Sequence, residues 1–77
     1  MTIEVYALLK EYFEKQFVIK EQIEDISALR DYLGNQKPQA LEILRACRFA
    51  VEDEFVGDTY QLKENDSISI IPPSSGG

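Results

Sequence analysis

The chain has 77 residues, of which 44% are hydrophobic and 29% charged, which suits one small domain with its own core and leaves no room for a second. Eight Lys and Arg against fourteen Asp and Glu give a formal net charge of -6, which argues against a nucleic-acid partner because phosphate backbones are bound by basic residues. No apolar run approaches the roughly 20 residues that span a bilayer, so we expect no membrane association. The single cysteine suits a reducing, cytoplasmic compartment.

Two β-rich segments open the chain. The first alternates, with Ile3, Val5 and Ala7 on one side and Tyr6 on the other, which is the period of a half-buried strand that extends to residue 8. A turn then leads to a second β-rich run over residues 16–20. The two segments predict a pair of neighbouring strands.

A helical region follows. Asp25 is placed to cap the first helix, because a carboxylate accepts from free backbone N–H groups and suits the helix dipole. The apolar stripe of this helix consists of Ile26, Leu29, Tyr32 and Leu33. Gly34 predicts its end, and Pro38 opens a second, shorter helix that ends near Ala46.

The C-terminal half predicts strands again. Residues 48–52 form a third strand, and the acidic residues around Phe55 indicate a polar, turn-rich excursion. In the last strand, residues 67–71, Ile68 and Ile70 point one way and Ile71 the other. Pro72 ends the pairing because it has no N–H to donate.

This element order predicts an α+β fold, a mixed sheet with one main helix and a short second helix packed on one face. The simplest arrangement of that kind is the β-grasp, or ubiquitin-like, fold with the first and last strands central. We expect a β-grasp domain over residues 1–73 and a flexible C-terminal tail over residues 74–77.

The chain offers little for catalysis. It has no histidine, the commonest general base and metal ligand, and Cys47 has no second cysteine with which to form a zinc or redox site. The acidic triplet Glu52-Asp53-Glu54 fits no calcium-binding spacing and is expected to be a solvated turn. We therefore expect neither a metal site nor a bound cofactor.

The tail is chemically distinctive instead. After Pro72-Pro73 come Ser74, Ser75, Gly76 and Gly77, and six extended residues reach about 20 Å at roughly 3.3 Å per residue. Small residues could thread a narrow channel and deliver the terminal carboxylate to another protein. A carboxylate must first be activated, for example as an acyl adenylate, and a sulfur donor would then convert it into a thiocarboxylate. The activating chemistry, including its ATP, must come from a partner enzyme.

The same ending resembles a known family, the small subunit of molybdopterin synthase, which is a ubiquitin-like sulfur carrier. The similarity is strongest over residues 62–77, where a turn and an apolar strand precede Pro-Pro, two small residues and Gly-Gly. Residues 5–11, 26–33 and 49–51 add to it. The resemblance covers essentially the whole chain.

It implies that an ATP-dependent activating enzyme adenylates Gly77, which becomes a thiocarboxylate. The tail would then enter the large subunit of molybdopterin synthase and donate sulfur to cyclic pyranopterin monophosphate. The chain would be a non-catalytic, sulfur-donating subunit of a heterotetramer. The residues implied to contact the large subunit are Tyr6, Lys10, Phe55, Ile71, Pro72 and Pro73.

Several positions depart from the family pattern, and among them the pair Ser74-Ser75 is more polar than the usual one. Glu52 stands where asparagine is usual, Asn65 replaces a turn glycine, and Lys10 replaces a common arginine. Lysine keeps the charge but lacks the planar fork of a guanidinium, while asparagine tolerates a positive φ.

Other functions stay open at this point. The chain could carry sulfur for thiamine thiazole synthesis or tRNA thiolation, although Pro-Pro before the tail favours molybdopterin. It could also be a protein-conjugating modifier, or a binding module whose tail has no role.

Overall fold

The alternating segments form a five-stranded mixed sheet within residues 1–73, the part of the chain that the computed structural model describes. The strands are β1 (Thr2–Val5), β2 (Gln16–Val18), β3 (Arg48–Val51), β4 (Glu54–Val56) and β5 (Ser67–Ile71). Their order is β2-β1-β5-β3-β4. β1 and β5 are parallel, and the other pairs are antiparallel. The predicted mixed sheet with its first and last strands central is confirmed.

Two helices, α1 (Ile26–Gln36) and α2 (Leu41–Ala46), contribute to the core with the inner face of this sheet. A short 3-10 helix, Pro38–Ala40, joins them. The largest fully buried side chains are Ile3, Val5, Leu9, Ile26, Leu29, Leu33, Leu44, Phe49, Ile68 and Ile70. They come from both layers, as the period-2 and helical patterns predict. Within the described residues no helix combines the length and the apolarity needed to cross a membrane.

The ends of α1 differ in how well the sequence predicts them. The Asp25 carboxylate accepts a hydrogen bond from the backbone N–H of Ala28 at 2.9 Å, so the predicted N-cap is confirmed. The prediction that Gly34 ends the helix is wrong, because the helix continues to Gln36. A Cβ atom at Gly34 would lie 2.6 Å from the Cδ1 of Leu41. This glycine therefore allows the two helices to approach closely rather than ending the first.

The first strand is shorter than predicted. It ends at Val5, and a 3-10 helix, Ala7–Glu11, follows. Ala7 has a φ of 55°, a left-handed conformation that breaks the strand. As a result Leu9, and not Ala7, enters the core.

Asp66 fixes the start of β5. Its carboxylate accepts from the backbone N–H of Lys63 at 2.8 Å, and its carbonyl accepts from that of Thr2 at 3.0 Å. Asn65 in this turn does not have a positive φ, so its replacement of a glycine there involves no left-handed backbone. The turn ties β5 to β1 where the parallel pair begins.

Candidate functional site

The predicted site begins where β5 ends. Ile71 is the last residue of the strand and pairs with Arg48 of β3. Pro72 is partly buried and Pro73 is exposed. The predicted tail residues Ser74, Ser75, Gly76 and Gly77 lie outside the described residues. The tail therefore follows directly from the strand that occupies the middle of the sheet.

The sheet face turned away from the helices, here called the outer face, carries Tyr6, Arg48, Phe55 and Ile71. Tyr6 is 38% exposed and Phe55 53%. The parallel register pairs Val5 with Ile70 on the core side, and Tyr6 follows Val5 with an extended backbone. Tyr6 and Ile71 therefore face the other side of the sheet. The alternation therefore puts Tyr6 and Ile71 away from the core, as the sequence predicts.

Phe55 reaches the outer face through a hairpin that the sequence does not predict. The segment expected to be a turn-rich excursion is strand β4, in which Phe55 pairs with Ala50. Glu52 and Asp53 form the connecting turn, with φ values of 51° and 69°. Two successive positive φ angles are typical of a type I′ turn, which suits the twist of a hairpin. The unusual Glu52 thus occupies a position where asparagine would be better tolerated.

Arg48 also lies on this face, although no motif in the sequence singles it out. Its guanidinium carbon lies 3.9 Å from the centroid of the Phe55 ring, within the range of a cation–π interaction. The alternation of β3 already indicates that Arg48 points outward. The contact with Phe55 could be predicted only by placing β4 beside β3.

Lys10 lies next to this region along the chain. It is exposed in the last turn of the 3-10 helix Ala7–Glu11, which starts directly after Tyr6. The left-handed backbone conformation of Ala7 turns the chain just after Tyr6. The partner-binding role of Lys10 stays a prediction, as does that of Tyr6, Phe55, Ile71, Pro72 and Pro73.

Cys47 is buried and unsuited to nucleophilic chemistry. Its thiol donates a hydrogen bond to the carbonyl of Ile43 at 3.1 Å. Burial raises the pKa of the Cys47 thiol to about 11, against a smaller opposing effect of the Arg30 charge, so almost no thiolate forms near neutral pH. Within residues 1–73 no group of three or more metal-ligating side chains comes together.

A shallow groove of about 660 Å³ lies at the opposite end of the sheet from Pro72. Its walls include Val18 and Ile23, two lysines and several glutamates. Strand β5 has five residues, so at about 3.3 Å per residue this end lies roughly 16 Å from the root of the tail. The groove is therefore separate from the outer-face residues near Ile71.

Comparisons with known proteins agree with this arrangement. The chain matches the ThiS family over residues 3–77. It is similar to a chain in the complex of subunits 1 and 2 of molybdopterin-converting factor from Helicobacter pylori, with 31% identity, 99% of this chain and 96% of that chain covered, and a TM-score of 0.71. It also has the fold of SAMP1 from Haloferax volcanii, at 17% identity and a TM-score of 0.75, with 99% and 97% covered. The sheet order, the helical layer and these matches show a ubiquitin-like β-grasp protein, and the chain belongs to the ThiS family.

Proposed function

We propose that the chain is the sulfur-carrying subunit of a molybdopterin synthase. An ATP-dependent activating enzyme would adenylate the carboxylate of Gly77, and a sulfur donor would displace AMP to leave a thiocarboxylate. The large subunit would then receive the tail, and the sulfur would pass to cyclic pyranopterin monophosphate. The observation that carries this proposal is the 31% identity, over nearly all of both chains, to a protein in a complex of the two subunits of molybdopterin-converting factor.

The geometry of the described residues supports a carrier rather than a self-contained enzyme. The tail is rooted in β5, which is paired on both sides, while Tyr6 and Phe55 expose apolar surface on the face beside that root. Exposed aromatic side chains are typical anchors of protein interfaces. The single cysteine suits a reducing compartment, and we propose that the protein acts in the cytoplasm.

The proposed chemistry can be tested by intact-mass measurement. The chain is incubated with the cognate activating enzyme, ATP and a sulfur source, and the expected result is a mass gain equal to the replacement of one oxygen by sulfur. A variant that lacks Gly77 is the control, and it should show no gain while keeping its fold. Absence of the gain in the wild type, with an enzyme known to be active, would refute the proposal.

The proposed docking face needs its own test with the large subunit. Phe55→Ser should weaken binding, because it removes an exposed aromatic side chain from the outer face. Val18→Ser is the matched control, since Val18 is 63% exposed but lies on the edge strand β2, and three strands separate β2 from β4. Equal binding by both variants would show that the large subunit does not use the outer face near Phe55.

A second candidate function is sulfur carriage for thiamine thiazole synthesis. The name of the matching family, ThiS, favours it, and the tail chemistry would be the same. The thiocarboxylated chain can be offered to a molybdopterin synthase large subunit and to a thiazole synthase under identical conditions. Stable binding and sulfur transfer to the first alone would support the leading proposal, and transfer to the second alone would replace it.

A further inference from the structure

Arg48 occupies a specific place on the outer face. It pairs across the strands with Ile71, two residues before Pro73, and it stacks on Phe55. The arginine thus links the root of the tail to the most exposed aromatic ring of this face. A guanidinium held on a ring loses less side-chain freedom when it binds a carboxylate than a free arginine does.

Arg48 forms no ion pair within residues 1–73, the described part of the chain. The ion pair found there joins Arg30 to Asp58, and no carboxylate of residues 1–73 lies within 4.0 Å of the Arg48 guanidinium. Arg48 is exposed, so its contact with Phe55 leaves N–H donors free for a partner. The chain, whose formal net charge is -6, thus presents on its outer face a cation that lies against an aromatic ring.

We propose that Arg48, supported by Phe55, recognises a carboxylate of the large synthase subunit and helps to select that partner. The inference rests on the proposed function, because the outer face and the tail then meet the same protein. A planar guanidinium matches the geometry of a carboxylate. The net negative charge attracts any basic surface and so does not distinguish one basic partner from another. Arg48 favours those partners that place a carboxylate opposite it, and this adds specificity.

The first experiment compares the binding of charge-reversed variants to the large subunit at low salt. Arg48→Glu should bind about five- to tenfold more weakly than the wild type, which is the range expected for a partly exposed ion pair that becomes a repulsion. Arg45→Glu is the matched control, because Arg45 is an equally charged, exposed residue in helix α2. It should bind within twofold of the wild type. Unchanged or tighter binding by Arg48→Glu would overturn the proposal.

The second experiment tests the support from Phe55. Phe55→Leu keeps apolar surface and removes the ring, so it should weaken binding in the presence of Arg48 and have a smaller effect in the Arg48→Gln background. A double-mutant cycle measures that coupling. Additive effects of the two substitutions would refute the role of the ring as a platform for the guanidinium.

Two further measurements separate this proposal from the proposed function. Thiocarboxylation of each variant is measured beside binding, with Arg45→Glu expected at the wild-type rate, and circular dichroism should show an unchanged fold in all variants. If the wild type itself fails to bind the large subunit, the proposed function and this inference both fail. If the wild type binds and only thiocarboxylation is lost in Arg48→Glu, the carboxylate belongs to the activating enzyme, and this inference alone fails.

Discussion

The turn between β3 and β4 stores backbone strain that two substitutions should release. Glu52 and Asp53 have φ values of 51° and 69°, and both are non-glycine residues in the left-handed region. Such a conformation costs about 1–2 kcal/mol for an ordinary L-residue and less for Asn or Asp, whose short polar side chains tolerate it. The strain is therefore expected to be larger at Glu52 than at Asp53.

The size of the gain follows from these costs. Glu52→Asn should raise the free energy of unfolding by about 0.5–1 kcal/mol, because asparagine adopts a positive φ more readily. Asp53→Gly removes the remaining strain, but the added freedom of glycine in the unfolded chain offsets about 0.5–1 kcal/mol. We expect the glycine variant to gain less than the asparagine variant.

Urea denaturation measures both changes, and about 1 kcal/mol corresponds to a rise of roughly 4–8 °C in Tm for a domain of this size. Glu64→Asn is the matched control, since Glu64 is an exposed turn residue without a positive φ and loses the same charge. It should leave stability unchanged within about 0.5 kcal/mol. If Glu52→Asn were neutral, or if Glu64→Asn gave an equal gain, relief of backbone strain would not be the cause.

Two further predictions concern the buried side of the helical layer. Arg30 donates to the carbonyl of Leu44 at 3.1 Å and to Asp58 at 2.8 Å, so Arg30→Met should lower the free energy of unfolding by about 2 kcal/mol. Asp58→Asn should cost less than about 1 kcal/mol because its side chain is 58% exposed, and equal losses in urea titrations would contradict this account. Burial raises the pKa of the Cys47 thiol to about 11 from 9.0, so between these pH values the unfolded chain loses a proton that the folded chain keeps. The contribution of Cys47 to stability is therefore fully present below pH 9 and is lost as the pH rises through 11. Stability measured across that range should fall more steeply in the wild type than in Cys47→Ala, and parallel curves would argue against burial of the thiol.

Much of the fold could be predicted because burial leaves a periodic pattern in the sequence. The alternation of Ile68 and Ile70 identified β5, since one face of that strand is buried and the other is not. Strand β4 gave no such pattern, because Glu54 and Phe55 are both exposed at the edge of the sheet. The role of Gly34 could not be predicted for a related reason. Its role depends on the distance to Leu41, which no local pattern reports.

In the candidate site, too, some features follow from the sequence pattern and others depend on tertiary contacts. Strand phase placed Tyr6 and Ile71 on the outer face, because the direction of a side chain in a strand depends only on its position in the alternation. The stacking of Arg48 on Phe55 depends on which strands are neighbours and in which register. A cross-strand pair cannot be predicted until the hairpin is known, and here the hairpin turn lacked the usual Asn-Gly or Asp-Gly signal.

The position of β5 bears on the proposed delivery of Gly77 to a partner. β5 is hydrogen-bonded to β1 on one side and to β3 on the other, so its end is held more firmly than an edge strand would be. Pro72 then ends the ladder, and Ile71 and Pro72 are both only partly buried at that point. A partner that binds the outer face near Ile71 therefore also fixes the position, relative to itself, from which the tail starts. Under the proposed function, the few residues of the tail are enough to bring Gly77 to the partner's active site because their starting point is already positioned by the sheet.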